Sequence, residues 1–537
     1  MRTILRGFWI LSAIGIASNA VGCTAPCGDT HSCGTYVPPE GGSSGASGVG
    51  GAAGGANHGG AGGGAGTATG GSGAASGTAG AAGVGGDAAG EGGEAGGGIP
   101  CDPTKTPSEE SCVVSNDNAV FVAPMGKDGA AGTKSAPVQT IAKAIELAGD
   151  TKIVIACDGS YDEQVKLTSG AKLYGGFACP GSATPWSYDS GKRATVAPSA
   201  RGVALSISSG TSDVVIEDFE FDAKDGVDPG ESSVAAFVST STNVALTRVK
   251  LVAGKGIDAA DGSLTPVTFP TQATLKGNSA TGDTGGPFNL VMCPAGGTTK
   301  GGQGGGGGGA ATGGGVGLPA LAGGSAGTIT SACNAGGGGG DGANAAGQSP
   351  ASGATKFGGI TPRGWSGING TDGGAGTPGQ GGGGGTGAAT GGAGGGGGAG
   401  GCGGAGGTGG KAGGSSIAVL LLNSTVTLTA NELVAGNAGK GGNGVAGQTG
   451  QTPGGSAGVQ VPDGCGGGKG GKGGDGGSGG GAAGGISAGI AYVGTSAPTP
   501  DSETIITTGT AGAKGIGGVP GTNDGIAGVK QDVLQIP

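Results

Sequence analysis

The sequence predicts an all-β chain folded as a parallel β-solenoid, with one helix ahead of its coils and long glycine-rich insertions between them. An internal repeat is the first observation. GVALSISSGTSDVVIEDFEFDAKDG (202–226) is followed by SVAAFVSTSTNVALTRVKLVAGKG (233–256) and, much later, by SIAVLLLNSTVTLTANELVAGNAG (416–439). The second and third copies align with a one-residue gap and end alike, in KLVAG and ELVAG; a fainter copy runs through 487–494 and 504–515. A strand-rich unit of this length that repeats cannot bury its apolar face alone, so its copies stack as coils. The second observation is strand after short strand with turns between them from residue 152 to 252. The third is where the glycine lies: both long glycine-rich stretches leave the repeat just after VAG, which places them at one corner of the column.

The elements follow in order. Arg2, Arg6 and the apolar run FWILSAIGI (8–16) read as an export signal over 1–22, too short to span a bilayer. AVGC (20–23) resembles the lipobox of bacterial lipoproteins, so Cys23 is the expected lipid-modified N-terminus of a tether over 23–40. Residues 41–100 have no apolar period and read as a flexible Gly/Ala/Ser spacer. Folded character begins at 101 and continues to 258. VFVAP (120–124) is a strand, and QTIAKAIELAGD (139–150) is an amphipathic helix with Ile141, Ala144, Ile145 and Ala148 on one face. Glycine-rich insertions are expected over 259–415 and 437–485, a coil over 416–436, and a last coil with a tail over 486–537.

Composition sets limits. The 537 residues include 146 glycines, whereas an ordinary chain carries about 7%. With 34% hydrophobic and 3% aromatic residues, one large core is excluded. A net charge of −10 offers nothing to nucleic acid or anionic lipid. Setting aside Cys23, ten of the 11 cysteines remain, an even number that suits an oxidising compartment. Nearest-neighbour pairing joins Cys27 to Cys33, Cys101 to Cys112, Cys157 to Cys179, Cys293 to Cys333 and Cys402 to Cys465. No C-x-x-C pair supports zinc, and both histidines, His31 and His58, precede residue 101.

Glycine recurs every third residue from Gly364 to Gly385 and from Gly509 to Gly521, and GKGGKGGDGGSGG (468–480) keeps the same beat. Three residues per turn is the period of polyproline-II-type helices, and the scarcity of proline excludes collagen. Two states are open: left-handed helices hydrogen-bonded side by side, or solvated brushes. The entropy that glycine loses on ordering favours the brushes.

The pattern FVAPMGKDGAAGTKSAPVQTIAKAIELA (121–148), IVIACDGSYDEQVKL (153–167) and LYGGF (173–177) resembles the N-terminal capping region of right-handed parallel β-helix proteins of the pectin-lyase-like superfamily, especially bacterial surface proteins. The resemblance implies a right-handed coil of 20–25 residues, which would put Cys157 and Cys179 on adjacent coils within disulfide reach. The insertions are similar in composition to the glycine-rich, PGRS-like segments of other surface proteins.

Enzymes of that superfamily cleave acidic polysaccharides, so the carboxylates of EDFEFDAKDGVD (217–228) are the place to look for chemistry. Asp218, Glu220 and Asp222 are candidate calcium or ligand residues. The repeat alignment favours a different use: Asp218 falls opposite Arg248 and Glu220 opposite Lys250, while Phe219 and Phe221 fall opposite Val249 and Leu251. This is a ladder of opposite charges above an apolar ladder. Tyr174, Trp186 and Tyr188 read as a cap over the first coils rather than a sugar platform. No catalytic residue and no cofactor is assigned. The expected function is that of a non-enzymatic, lipid-anchored protein at the outer membrane or surface of a Gram-negative cell. Its partners would be the membrane, through the lipid, and an extracellular glycan or protein. The alternative is a polysaccharide lyase or hydrolase, or a calcium-dependent glycan-binding module, on the same fold.

Overall fold

A computed structural model describes residues 101–537 except 103, 209–210, 212, 330–331 and 495–496. The signal, Cys23, the Cys27–Cys33 pair, both histidines and the 41–100 spacer lie outside the described residues.

Apolar residues at every second position make the short strands. Before the first repeat come β1 (Ala119–Val122), α1 (Ile141–Ala148), β2 (Ile153–Cys157), β3 (Gly159–Tyr161), β4 (Val165–Leu167), β5 (Lys172–Phe177) and β6 (Ala194–Val196). The first repeat supplies β7 (Leu205–Ile207), β8 (Val214–Glu217) and β9 (Phe219–Asp222), and the second supplies β10 (Ser233–Ser239), β11 (Val244–Thr247) and β12 (Lys250–Ala253). The glycine-rich stretch that follows holds the single turn α2 (Gln272–Leu275), the hairpin β13 (Asn289–Met292) with β14 (Thr298–Gly301), and the hairpin β15 (Gly358–Thr361) with β16 (Gly364–Gly367). The third repeat forms β17 (Ser416–Leu422), β18 (Val426–Thr429) and β19 (Glu432–Ala435). The last strands are β20 (Ser487–Val493), β21 (Ile505–Thr508) and β22 (Lys530–Gln535).

These strands form three six-stranded sheets: β1-β2-β5-β8-β11-β18, β4-β7-β10-β17-β20-β22 and β3-β6-β9-β12-β19-β21, here called sheets 1, 2 and 3. Every pairing in them is parallel, the arrangement of a β-solenoid in which the chain visits sheets 2, 1 and 3 in turn. The repeats stack as aligned. Across the glycine-rich stretch Ser233 pairs with Ser416, Val244 with Val426 and Lys250 with Glu432, so the second and third coils are direct neighbours. The one-residue gap falls between the first two strands of the coil, where Thr240–Asn243 of one repeat faces Asn423–Thr425 of the next.

The runs VVIEDFEF (214–221) and VALTRVKLV (244–252), each strand-like in composition throughout, are each divided in two. Asp218, Arg248 and Ala430 adopt positive φ (56°, 53° and 52°) and turn the chain from sheet 1 to sheet 3. Alternation of apolar residues on both sides of the corner hides the break from a periodicity reading. The column interior holds Leu173, Leu205, Ile216, Phe219, Phe221, Leu246, Leu251 and Leu433, all fully buried. Each such side chain contributes roughly 1.5–3 kcal/mol. Helix α1 packs Ile141, Ala144 and Ala148 against this core, with the Thr140 side chain accepting the Lys143 N–H at its start.

The chain leaves sheet 3 after Ala253, Ala435 and Thr508 and re-enters sheet 2 at Ser416, Ser487 and Lys530. The glycine-rich segments between these points are hydrogen-bonded to one another, which overturns the expectation of brushes. The N–H groups of Gly370, Gly373, Gly376, Gly379, Gly382 and Gly385 donate to the carbonyls of Gly410, Gly407, Gly404, Gly401, Gly398 and Gly395. Those of Gly398, Gly401, Gly404, Gly407 and Gly410 donate to Gly468, Gly471, Gly474, Gly477 and Gly480, and this third segment donates back to the first, Gly477 to Gly374. Bonds at every third residue to neighbours on different sides are those of three-residue-per-turn helices packed in a bundle. Glycine is required by this proximity: a Cβ on Gly403 would collide with the carbonyl of Gly376. The entropy that favoured brushes is offset by backbone hydrogen bonds made in a water-poor interior.

Side chains extend the same lattice. Asp258 and Asp261 accept the N–H groups of Lys440 and Asn443 at 2.6 and 2.7 Å, and Asp341 and Asn344 those of Lys469 and Lys472 at 2.7 Å. Asn437 and Asn443 accept those of Thr510 and Ile516 at 2.9 and 2.8 Å.

Two disulfides match the nearest-neighbour scheme, Cys101–Cys112 and Cys157–Cys179. The other two correct it. Cys293 pairs with Cys402 and Cys333 with Cys465, each with 5.2 Å between Cα atoms. The bundle folds its segments back on one another, so Cys293, just after β13, and Cys333, in a short 3-10 turn, meet cysteines far along the chain rather than each other.

Candidate functional site

The acidic run 217–228 lies across the corner between sheets 1 and 3 and continues along sheet 3. At that corner the positive φ of Asp218 and Arg248 stacks the two residues on successive coils. The Arg248 guanidinium reaches Asp218 through Nε at 2.8 Å and Nη2 at 2.9 Å, and Glu217 through Nη2 at 2.9 Å. The Tyr188 hydroxyl donates to Asp218 Oδ2 at 2.9 Å. Lys250 pairs with Glu220 at 3.0 Å one step along the strands. The charge ladder read from the alignment is therefore present. Its first rung differs from the expected outward placement, because Asp218 is only 2% exposed. A buried carboxylate is tolerated when a fork of donors satisfies it, as Arg248 and Tyr188 do here.

The electrostatics follow the geometry. Burial holds the Glu217 carboxyl above its ordinary range, against the opposing pull of Arg248. Hydrogen bonding to Asp218 holds the Arg248 guanidinium further up than usual. Burial, and then the bond to Asp218, push the Tyr188 phenol up to about 12. The carboxylates are held by the guanidinium fork and the phenol hydroxyl, as a structural cluster requires.

Asp222 is different. It makes no ion pair among the described residues and lines a groove of about 640 Å³ with Arg201, Lys224, Asp225 and Lys255. Burial, with Glu220 nearby, raises its carboxyl above the usual range. Of its acidic neighbours, Asp225 accepts the Lys255 N–H at 2.7 Å, and Asp228 and Glu231 share Arg201 at 2.8 and 2.5 Å. Asp218, Glu220 and Asp222 do not converge as a ligand trio. Among the described residues the one such convergence is Cys157, Asp158 and Cys179, whose sulfurs are joined in the disulfide.

The aromatic residues are packed inward. Trp186 is 7% exposed and meets Phe121 edge-on at 4.7 Å, Tyr174 is 6% exposed, and Tyr188 meets Phe177 at 5.6 Å. They form a second apolar cluster against sheet 1 with Ile155 and Phe177, leaving no flat aromatic face for a sugar. Sequence reading missed Glu217 as a partner of Arg248 and missed the Arg201 clamp on Asp228 and Glu231. In the alignment Glu217 stands opposite Thr247, so no charge pair signalled it, and Arg201 lies just outside the repeat.

Comparison with known proteins agrees with the fold and is silent on activity. No curated protein and no solved structure matches the chain. Residues 124–219, from the turn after β1 to the Phe219 that opens β9, match a family model described as a protein of unknown function (DUF1565), a family associated with parallel β-helix proteins.

Proposed function

We propose that this chain is a non-enzymatic, lipid-anchored surface protein. In this reading a right-handed β-helix, capped at its start by α1, carries PGRS-like glycine-rich insertions as its displayed and adhesive part. The observation that carries the proposal is the bundle itself: a hydrogen-bonded body of glycine helices, fastened by Cys293–Cys402 and Cys333–Cys465, set beside the column. A rigid body built from backbone hydrogen bonds and closed by disulfides suits a protein exposed outside the reducing cytosol. The commitment of Asp218 and Glu220 to Arg248 and Lys250 also argues for a structural use of the acidic run. Metabolic labelling with a fatty acid is expected to mark the wild type and not Cys23→Ala. Equal labelling of the two would refute the anchor.

One observation favours the polysaccharide lyase or hydrolase reading: Asp222, with its raised carboxyl, beside Lys224 in an open groove. Its test is turnover of a panel of acidic and neutral glycans, expected in the wild type and lost in Asp222→Ala. An inert wild type removes it.

A further inference from the structure

Within the glycine-rich stretch between β12 and β17, the segment FGGITPRGWSGING (357–370) is unlike its surroundings. It folds as the β15–β16 hairpin, turned by Pro362 and Arg363, and lies on the outer face of sheet 2. Ile360 joins a cluster there with Val234, Phe237, Ile417 and Leu420, and Trp365 packs against it. The indole lies over Gly358, where a Cβ would sit 2.5 Å from Cζ2. Between the hairpin and the sheet is a groove of about 520 Å³. Val203, Val234 and Leu420 supply its apolar surface, and Arg363, Trp365 and Lys411 line it.

Four properties of this groove stand out in an acidic chain. Among the described residues no carboxylate lines it. The neighbouring acids, Asp228 and Glu231, are held by Arg201, while the side chains of Arg363 and Lys411 have no ion-pair partner among the described residues. Among the described residues the Trp365 Nε1–H is buried without an acceptor. Finally, among the described residues β16 has a strand neighbour on one side only, and Gly364–Gly367 line the groove. The tight turn makes Thr361–Gly364 a bonded pair and Gly359–Ser366 the next, so by alternation the N–H and C=O of Trp365 face the open side.

We propose that this groove binds an extended acidic peptide segment of a partner protein, which adds a strand to the free edge of β16. Main-chain bonds to Trp365 would set its register. Its acidic side chains would meet Arg363 and Lys411, and its apolar side chains would fill the surface formed by Val203, Val234 and Leu420. The free strand edge favours a peptide over a saccharide, since only a peptide backbone completes the ladder. The inference rests on the adhesive reading above and names the ligand class for it.

The test uses the full chain purified in detergent, with binding followed by calorimetry and by tryptophan fluorescence. The probes are a blocked peptide of alternating valine and aspartate, its valine–lysine counterpart, the acidic peptide N-methylated at alternate residues, and oligogalacturonate. The acidic peptide is expected to bind and to change the fluorescence, while the lysine and N-methylated peptides bind at least about tenfold more weakly. Arg363→Gln combined with Lys411→Gln, both at exposed positions, is expected to weaken the acidic peptide by at least about tenfold. Trp365→Phe should abolish the fluorescence change. Equal binding of the N-methylated peptide, equal binding by the double variant, or binding of oligogalacturonate in place of the peptide overturns the proposal. Fatty-acid labelling of Cys23 is independent of all these outcomes, so failure here with labelling intact rejects the ligand class alone.

Discussion

Arg248 holds two carboxylates at once, one of them almost fully buried, and its removal strands both. Arg248→Gln is expected to cost about 3 kcal/mol, read as a lowered denaturant midpoint, because breaking a buried pair leaves an uncompensated charge. Adding Asp218→Asn should recover part of the loss, and asparagine tolerates the positive φ of that corner. A second prediction concerns Asp524, whose carboxylate accepts the N–H groups of Gly517 and Gly521 and pairs with Lys514. These bonds lower its carboxyl from 3.8 to about 2. A depressed carboxyl stabilises the fold above its ordinary value and loses that contribution as pH falls through the folded one. The Gly517 and Gly521 amide resonances should therefore titrate with a midpoint near pH 2 in the wild type and not in Asp524→Asn. The pairing of Asp218 with Arg248 was legible because the repeat supplied a register. The depth of Asp218 was not, because burial depends on Tyr188, which sits on another coil outside the aligned units.

The column and the bundle are read from sequence with unequal ease. Alternation of apolar residues and the shared VAG ending were enough to place β10, β11 and β12 beside β17, β18 and β19. They were not enough for β22, whose sequence KQDVLQ buries mainly Leu534 and shows little period. In the bundle the three-residue beat gave the helix type, but the choice between brush and bundle depended on which segments lie together, and glycine carries no side chain to report that. The aspartates and asparagines three residues apart, Asp258 with Asp261 and Asp341 with Asn344, were the available signal. Gly403→Ala is expected to cost about 1–3 kcal/mol, as overpacking does. Gly309→Ala, with open space at its Cβ, should be neutral or slightly stabilising. Urea melts of the two variants distinguish a packed bundle from a solvated one, in which both substitutions would be equivalent.

For the whole molecule, the two long-span disulfides lie within the bundle and its loops rather than in the column, so their loss should separate the two parts. Cys293→Ser with Cys402→Ser, opening a link of 109 residues, is expected to lower bundle stability by up to about 5 kcal/mol on the chain-entropy model. Hydrogen exchange should then rise over 370–410 and stay slow in β10 and β17; a uniform rise would mean that the parts melt as one. Ser232 and Ser415 touch although 183 residues separate them. The coils beyond β12 therefore close late, after a long intervening length of chain is available, and long-range pairing of this kind is slow. A chain that ended inside that length would present β10, β11 and β12 as three bare edges in the register of β17, β18 and β19. Such a fragment is a ready template for the third repeat of another molecule, and premature termination would turn the column into a seed for end-to-end polymers.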